Sequence, residues 1–600
     1  MENRYRIMAR VPQGQGEIPE VVKVKTAPNK VHFCNDPDNE WYKDNVPCRR
    51  ACPADTRIPE YIDAAARGDY DKAYAINLAD NTLPHVLGRV CSHPCENVCR
   101  HGFPGMGDPV SICWLKRGGG DFKKNAHKLK PAAATGKTVA ITGSGPAGLT
   151  LAMDLALWGH KVTIYEGMPL AGGMLRYGIP RFRLPEKEMN EEIDRVGDLG
   201  VTIKTSRWVG KDPTLNDLRK DYDAVVMAAG SMVPTKLNVP GDDAKGVVYG
   251  LDFMAEINNG TRNAVKGHIV VLGGGYTAMD CSSSALRLGA SSVTVVYRRS
   301  RNELKVDERE MRETSMEGVD FQYLMSPTEV IKNVAGEVAG IAFNRMRLAD
   351  AGPDGRRQVV PVPNSIVTLK CDMVIAAISQ SPDLTLAGPG FKVDHNNFTT
   401  SLPKVYAAGD YISGPRDIIT AIGNAHKVSR SVDEALMGRK RHGEKTTSTV
   451  WRQTELGSYK GWKTAKGNIY DLIPRLEMPS LDHAARWNQK AQVDLGYNEE
   501  EIYWQGQRCF LCNHNVLIDG DACILCYNCV DVCPYNCILM LQQDYVRVRS
   551  NGGEPVAENK GFTYMVMDET NCVRCGLCID ACPVPCMGME KYEVENTFTP

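Results

Sequence analysis

Two cysteine runs near the C-terminus, CILCYNCVDVCP from Cys523 and CVRCGLCIDACP from Cys572, stand 49 residues apart and share the spacing C-x2-C-x2-C-x3-C-P. Thiolates spaced in this way enclose 4Fe-4S cubanes, and the fourth cysteine of each run ligates the other cubane. The spacing therefore assigns Cys523, Cys526, Cys529 and Cys582 to one cluster, and Cys572, Cys575, Cys578 and Cys533 to a second. Zinc also accepts four thiolates, but the duplication and the proline after each fourth cysteine argue for iron and sulfide. Cys537 and Cys586 follow the crossing ligands by four residues and are expected to pack beside the clusters. The pair Cys509 and Cys512, in RCFLCN, either pins this region to another part of the chain or completes an additional centre.

A second thiol-rich region lies at the other end. Cys34 is followed by Cys48 and Cys52 in CRRACP, by Cys91, Cys95 and Cys99 in GRVCSHPCENVC, and by Cys113 in VSICWLKR. Soft thiolates at such spacing suit iron-sulfur clusters or zinc. Seven ligands exceed one cluster and fall short of two. Of the 21 cysteines, seven precede residue 114 and twelve follow residue 508. The two left between, Cys281 and Cys371, stand in apolar contexts and read as small buried hydrophobes. Clustering without a secretory leader favours metal ligation over disulfides.

Between the thiol-rich ends, Lys137 to Glu166 (KTVAITGSGPAGLTLAMDLALWGHKVTIYE) reads as strand, glycine-rich turn, helix and second strand. Gly143 allows the tight turn, Gly145 lets backbone amides approach a pyrophosphate, and Gly148 lets the helix pack on the sheet. Ser144, Pro146 and Ala147 complete that phosphate-facing turn, and Glu166 stands where a carboxylate grips ribose hydroxyls. Gly267 to Arg299 repeats the pattern with Gly273, Gly275, Tyr276, Thr277 and Ala278 in the turn. Its second strand ends on Arg298 and Arg299, which suits a 2'-phosphate and hence NADP. A solvated strand end is the other reading of these arginines, and Lys305 would join the pocket if the following loop folds back.

Six hundred residues with 43% hydrophobic content suggest three to five soluble domains. A net charge of -1 argues against nucleic acid or an anionic membrane as the main partner. No apolar run approaches a membrane span, and the N-terminus lacks a signal layout, so a cytoplasmic protein is expected.

The motifs CRRACPADTRIPEYI, GRVCSHPCENVCR, GSGPAGL, AGGMLRYGIPRFRLP, LGGGYTAMD, VTVVYRR and VYAAGD, in this order, resemble the glutamate synthase small-subunit family, which includes the N-terminal half of dihydropyrimidine dehydrogenase. The likeness runs from about residue 45 to 440. It implies a multidomain chain: an α-helical N-terminal iron-sulfur domain with an extended arm (1–135) and an α/β flavoprotein core of two dinucleotide folds. In that core an NAD(P)H domain (246–378) is inserted into an FAD domain (136–245 and 379–440). A connector (441–500) and an α+β ferredoxin-like domain with two 4Fe-4S clusters (501–600) complete the expectation. By the same resemblance Gly173, Met174 and Arg181 lie around the flavin, and Gly409, Asp410 and Thr420 close its site. Cys48, Cys52, Cys91, Cys95 and Cys99 match family cluster ligands. The family's C-x-x-C just upstream is missing here. Cys34 is too distant to replace it simply, and Cys113 lies near where one relative supplies a non-cysteine ligand. One or two N-terminal clusters are therefore expected. Ser379 stands where the family has glycine.

A nicotinamide site, a flavin and several one-electron carriers together imply a subunit that moves electrons between NADPH or NADH, FAD, clusters and either ferredoxin or a larger oxidoreductase subunit, in a hetero-oligomer. A complete glutamate synthase small subunit is the alternative, against which the ferredoxin extension weighs, and a non-catalytic assembly scaffold is another. No compact Ser-His-Asp, Cys-His or paired-carboxylate arrangement marks a separate catalytic group.

Overall fold

The computed structural model describes residues 45–600 apart from 104–106, 126, 353–356, 389, 454–472, 520–521, 543–562 and 569–571, together with strands at Tyr5–Val11, Lys25–Ala27 and Lys30–His32. Cys34 lies outside the described residues.

Two five-stranded parallel sheets form the centre. In the first, the order is Val405–Ala407, Ala224–Met227, Thr138–Thr142, Lys161–Tyr165 and Thr202–Lys204. The short apolar runs VAI and AVVM are buried because helices cover both faces, as a parallel sheet requires. In the second sheet the order is Val319–Tyr323, Ser292–Tyr297, His268–Leu272, Met373–Ala376 and Val247–Tyr249. The strands of this sheet all lie in sequence between Met227 and Val405, two strands of the first sheet. A three-stranded antiparallel sheet, Met325–Lys332, Val338–Ala351 and Arg357–Leu369, packs beside it.

The N-terminal thiol-rich region is a set of short helices, Pro47–Ala51, Ile58–Ala66, Tyr70–Asp80, Pro84–Val90 and Ile112–Phe122. Three of them carry proline in the first turn, where its missing N–H costs nothing. Their core is continuous with that of the first parallel sheet. Among the polar ties between them, the fully buried Glu192 accepts hydrogen bonds from the Tyr74 hydroxyl (3.0 Å) and from the backbone N–H of His85 (2.7 Å) and Val86 (3.0 Å).

Three segments differ from the expected layout. Residues His442–Arg452, read as the start of a connector, form a strand antiparallel to Met587–Phe598, which also pairs with His514–Ile518. Glu499–Gln507, which spans the expected boundary between the connector (441–500) and the C-terminal domain (501–600), is a helix docked on the N-terminal set. An added methyl on its Gly506 would meet Ala66 Cβ at 2.6 Å, and one on Gly118 would meet Ile502 at 2.5 Å. A capping box starts that helix, with Asn498 accepting from Glu501 N (2.8 Å) and Glu501 from Asn498 N (2.7 Å). At the other end of the chain, Tyr5–Val11 adds an antiparallel strand to Thr563–Asp568, beside Ile538–Gln542.

Candidate functional site

The first glycine turn joins the strand Thr138–Thr142 to the helix Pro146–Leu157, with Gly145 as its N-cap. Gly143 has φ +93°, and a methyl added at Gly148 would stand 2.0 Å from the Gly143 carbonyl oxygen, so both positions require glycine. At Gly145 the space is open: an added methyl finds only Gly173 Cα, at 4.0 Å. That opening lies over the unbonded amides of the helix N-terminus, where a pyrophosphate belongs.

Glu166 is buried beside this turn. Its Oε2 accepts from Ser144 N (2.9 Å) and Ser144 Oγ (2.5 Å), and its Oε1 from Met168 N (2.7 Å). Ser144 Oγ also accepts from Gly172 N (3.0 Å), which draws the Gly172-Gly173-Met174 bend over the same opening. Arg181 donates to the Arg176 carbonyl (2.8 Å) and keeps a second nitrogen, Nη1, buried with no hydrogen-bond partner among the described residues. Burial lowers its pKa.

On the far side, Gly409 (φ +62°) caps the short helix Asp410–Ser413 and would clash with Ala147 Cβ, at 2.7 Å, if it carried a methyl. Asn424 holds it by accepting from Gly409 N (2.7 Å). Asp410 thus meets the start of the first helix, and burial pushes its carboxyl up to about 6. Its Oδ1 is buried with no hydrogen-bond partner among the described residues. A buried carboxylate oxygen without a donor is costly, and a ligand hydroxyl at this opening would supply one. Thr420 opens the helix Ile418–Met437, donating its N–H to the Asp417 side chain (2.9 Å). The D-x-x-T pattern was a readable cap signal, whereas Asn424 carried none.

In the second fold, Gly273 (φ +148°) and Gly275, the N-cap of Tyr276–Arg287, form the turn, followed by Thr277 and Ala278. Gly275 again faces open space. Tyr276 donates from its hydroxyl to Asp307 (3.0 Å). Arg298 lies exposed just beyond the strand Ser292–Tyr297, while the half-buried Arg299 donates Nε to the Arg357 carbonyl (3.1 Å). The following loop folds back, since Lys305 N donates to the Gly274 carbonyl (3.1 Å). One carboxylate, Glu303, returns to this end, but it is engaged by Ser300 and paired with Arg357. The arginine-rich end therefore remains suited to an anion.

The C-terminal cysteines line two pockets. One pocket of about 350 Å³ is walled by Cys523, Cys526, Cys529 and Cys582, with Cys586 beside them. A second, of about 340 Å³, is walled by Cys533, Cys572, Cys575 and Cys578, with Cys537 beside them. Cys537 hydrogen-bonds both Cys533 and Cys572 and pulls both thiols down. Burial pushes the Cys578 thiol up. Among the described residues no three side chains converge tightly enough for a single metal ion, so these are open baskets with thiols on their walls.

The N-terminal cysteines divide into two groups. Lys116 is buried, which lowers its pKa, but Cys91, Cys52, Cys113 and Cys95 outweigh burial and raise it. Cys48 and Cys99 instead face a third pocket, of about 360 Å³, whose other two thiols are Cys509 and Cys512. Lys116 was not singled out in the sequence, because a lysine three residues after Cys113 looks like a solvated helix face.

The flavin-type fold touches the first of these groups directly. Ser92, next to Cys91, donates to Asp417 at the N-terminus of Ile418–Met437 (2.5 Å). One turn on, Gly423 lies so close to Pro53, next to Cys52, that an added methyl would stand 2.1 Å from the Pro53 carbonyl oxygen.

Comparison with known proteins fits this arrangement. Residues 137–425 match the pyridine nucleotide-disulphide oxidoreductase family, residues 38–128 match dihydropyrimidine dehydrogenase domain II with its 4Fe-4S cluster, and residues 522–586 match the 4Fe-4S dicluster domain. The chain is 38% identical to the NADP(+)-dependent formate dehydrogenase subunit beta of Moorella thermoacetica, over 78% of this chain and 70% of that one. It is 33% identical to the NADPH-Fe(3+) oxidoreductase subunit beta of Geobacter sulfurreducens, over 78% and 75%. It is 31% identical to the glutamate synthase [NADPH] small chain of Azospirillum brasilense, over 66% and 88%.

Proposed function

The chain belongs to the family of pyridine nucleotide-disulphide oxidoreductases that includes the glutamate synthase small chain, and from that premise we propose that it is an NADPH-dependent FAD and iron-sulfur electron-transfer subunit serving ferredoxin or a partner catalytic subunit. When bound, FAD takes up a hydride from a nicotinamide and releases the electron pair singly, and 4Fe-4S clusters relay single electrons. The residues fit these groups. Gly145 and the amides behind it receive the pyrophosphate, Asp410 Oδ1 accepts from a flavin hydroxyl, and Arg181 Nη1 offers a charged donor. Glu166 holds the turn through Ser144 and keeps an oxygen near the ribose position.

In the second fold the turn at Gly273 and Gly275 takes the nicotinamide dinucleotide, with Arg298 and Arg299 at its 2'-phosphate. Cys52, Cys91, Cys95 and Cys113 hold a cluster next to the flavin, Lys116 offsetting its negative charge. Cys523, Cys526, Cys529 and Cys582 hold a second cluster, and Cys533, Cys572, Cys575 and Cys578 a third, in a ferredoxin-like domain. A cytoplasmic setting belongs to this reading, because thiols must stay reduced to take up iron, and so does assembly with a larger subunit. The observation that carries the proposal is the contact of one helix, Ile418–Met437, with both the Cys52–Pro53 and Cys91–Ser92 segments, which gives electrons a short way out of the flavin domain.

Anaerobic titration of the purified chain with NADPH should bleach the flavin absorbance and then reduce the clusters. A flavin spectrum unchanged by NADPH and by NADH would refute the reading and favour a scaffold.

A further inference from the structure

The pair Cys509 and Cys512 belongs to neither matched iron-sulfur segment, since those cover residues 38–128 and 522–586. We propose that Cys48, Cys99, Cys509 and Cys512 ligate a further 4Fe-4S cluster, closed by two ligands from each end of the chain, which links the flavin-side cluster to the two C-terminal ones. The inference rests on the electron-transfer reading above and extends it to a site of known ligands.

Three observations carry it. First, these four thiols wall one pocket of about 360 Å³, close in size to the two C-terminal pockets (about 350 and 340 Å³), each of which is lined by four motif cysteines and one more, Cys586 or Cys537.

Second, the loop at Cys509 has the backbone of a cluster loop. In each C-terminal run the residue two after the first cysteine is left-handed, at Leu525 (φ +64°) and Arg574 (φ +57°), and its N–H points at that cysteine's sulfur. Leu511 repeats both features, with φ +46° and an N–H to Cys509 Sγ at 3.4 Å. So does His93 after Cys91, at φ +38° and 3.4 Å. Leucine gains nothing from a left-handed backbone by itself. A curl that turns successive amides toward sulfur is what an anionic cluster requires.

Third, the segment is fixed where it is needed. Arg508 is fully buried and donates to the carbonyls of Asp108 (2.7 Å), Pro109 (3.0 Å) and Ile473 (3.1 Å), clamping the start of the loop to the strand of chain that follows Cys99. The next residues lead straight to another basket: Arg574, in the Cys572 loop, donates Nε to the His514 carbonyl at 2.9 Å. Cys48 and Cys52 are joined by a single helical turn, as Cys95 and Cys99 are by a 3-10 turn. The four thiol sets thus form an unbroken series from the flavin helix to the C-terminal domain.

The test is iron and acid-labile sulfide per chain in anaerobically reconstituted full-length protein, with wild type beside a Cys509→Ala, Cys512→Ala double substitution. Wild type should carry about sixteen irons, four cubanes, and the double variant about twelve, with FAD content and NADPH bleaching of the flavin retained. Undiminished iron in the double variant, with bleaching intact, overturns this site alone. Wild type that binds no iron and shows no bleaching overturns both this site and the functional reading. If the double variant does not accumulate, Cys509→Ser is read by the spectrum of the reduced clusters, where one cluster's signal should shift. An unchanged spectrum overturns the proposal.

Discussion

Removing the Arg298 guanidinium should cost NADPH far more than NADH. Arg298 is exposed at the end of Ser292–Tyr297 and has no hydrogen-bond or ion-pair partner among the described residues, so its fork is available. Arg299 is already committed through Nε to the Arg357 carbonyl and adds less. A carboxylate at this end of the strand, Glu303, is paired with Arg357 and engaged by the Ser300 hydroxyl. A hydrogen bond to a charged group is worth about 1.5 to 3 kcal/mol. Solvent screening at an exposed site keeps the lower end of that range, and about 1.4 kcal/mol is one decade. Arg298→Ala should therefore lower kcat/KM for NADPH about tenfold, carried mostly by KM, and leave NADH within about twofold. The assay is steady-state dye reduction with each nicotinamide at fixed ionic strength. Equal kcat/KM values for the two nicotinamides in wild type, or a parallel loss with both in the variant, would refute the phosphate-binding role.

Two further substitutions probe the flavin site and its support. Gly145→Val places its Cβ in the opening over the first helix, 4.0 Å from Gly173 Cα, so the chain should fold and purify without flavin, and a full flavin complement would reject the pyrophosphate assignment. Asp433 is buried and accepts from His160 Nε2 (2.8 Å), Arg441 Nη1 (2.7 Å) and His442 Nε2 (2.7 Å), and those hydrogen bonds and charges hold its carboxyl below the ordinary range in spite of burial. A depressed carboxyl stabilises the fold above the unfolded value, about 3.9, and loses that stabilisation as pH falls through the folded value. Asp433→Asn leaves Arg441 uncompensated, at a cost of about 3 to 5 kcal/mol. Thermal-shift midpoints should show a gap between wild type and variant that is constant from about pH 5 to neutrality and closes below about pH 4; a gap that widens in acid would contradict the sign.

What the sequence showed and what it hid follow from the range over which each signal acts. The glycine turns were legible because part of their demand is local: Gly143 takes a positive φ of +93° and Gly148 stands against the Gly143 carbonyl five residues earlier, whereas the crowding of Gly143 by Ala228 is long-range. The crossing of Cys533 and Cys582 was legible from the duplication, which carries a three-dimensional rule in its spacing. Cys509 and Cys512 were visible as a pair but not as half of a set, since the other half lies about 400 residues earlier. The strand His442–Arg452 was missed because its residues are mostly exposed and polar on both faces, so no alternation of apolar and polar residues betrays it. Its place is fixed by backbone pairing with Met587–Phe598, which no local pattern encodes.

The pairing of Tyr5–Val11 with Thr563–Asp568 sets a clock on biosynthesis. At about 5 to 20 residues per second, the first strand waits on the ribosome for roughly half a minute to two minutes before its partner is made. Cys48 and Cys99 wait almost as long for the loop at Cys509. During that interval the flavin fold, whose pieces all lie before residue 440, is complete and free to load its cofactor. The inter-end thiol basket is only half built. The inter-end basket closes only once residues 509 and 512 have been made, so a nascent chain that stalls between residues 440 and 509 would hold the flavin fold and its neighbouring thiols without the link to the C-terminal ones.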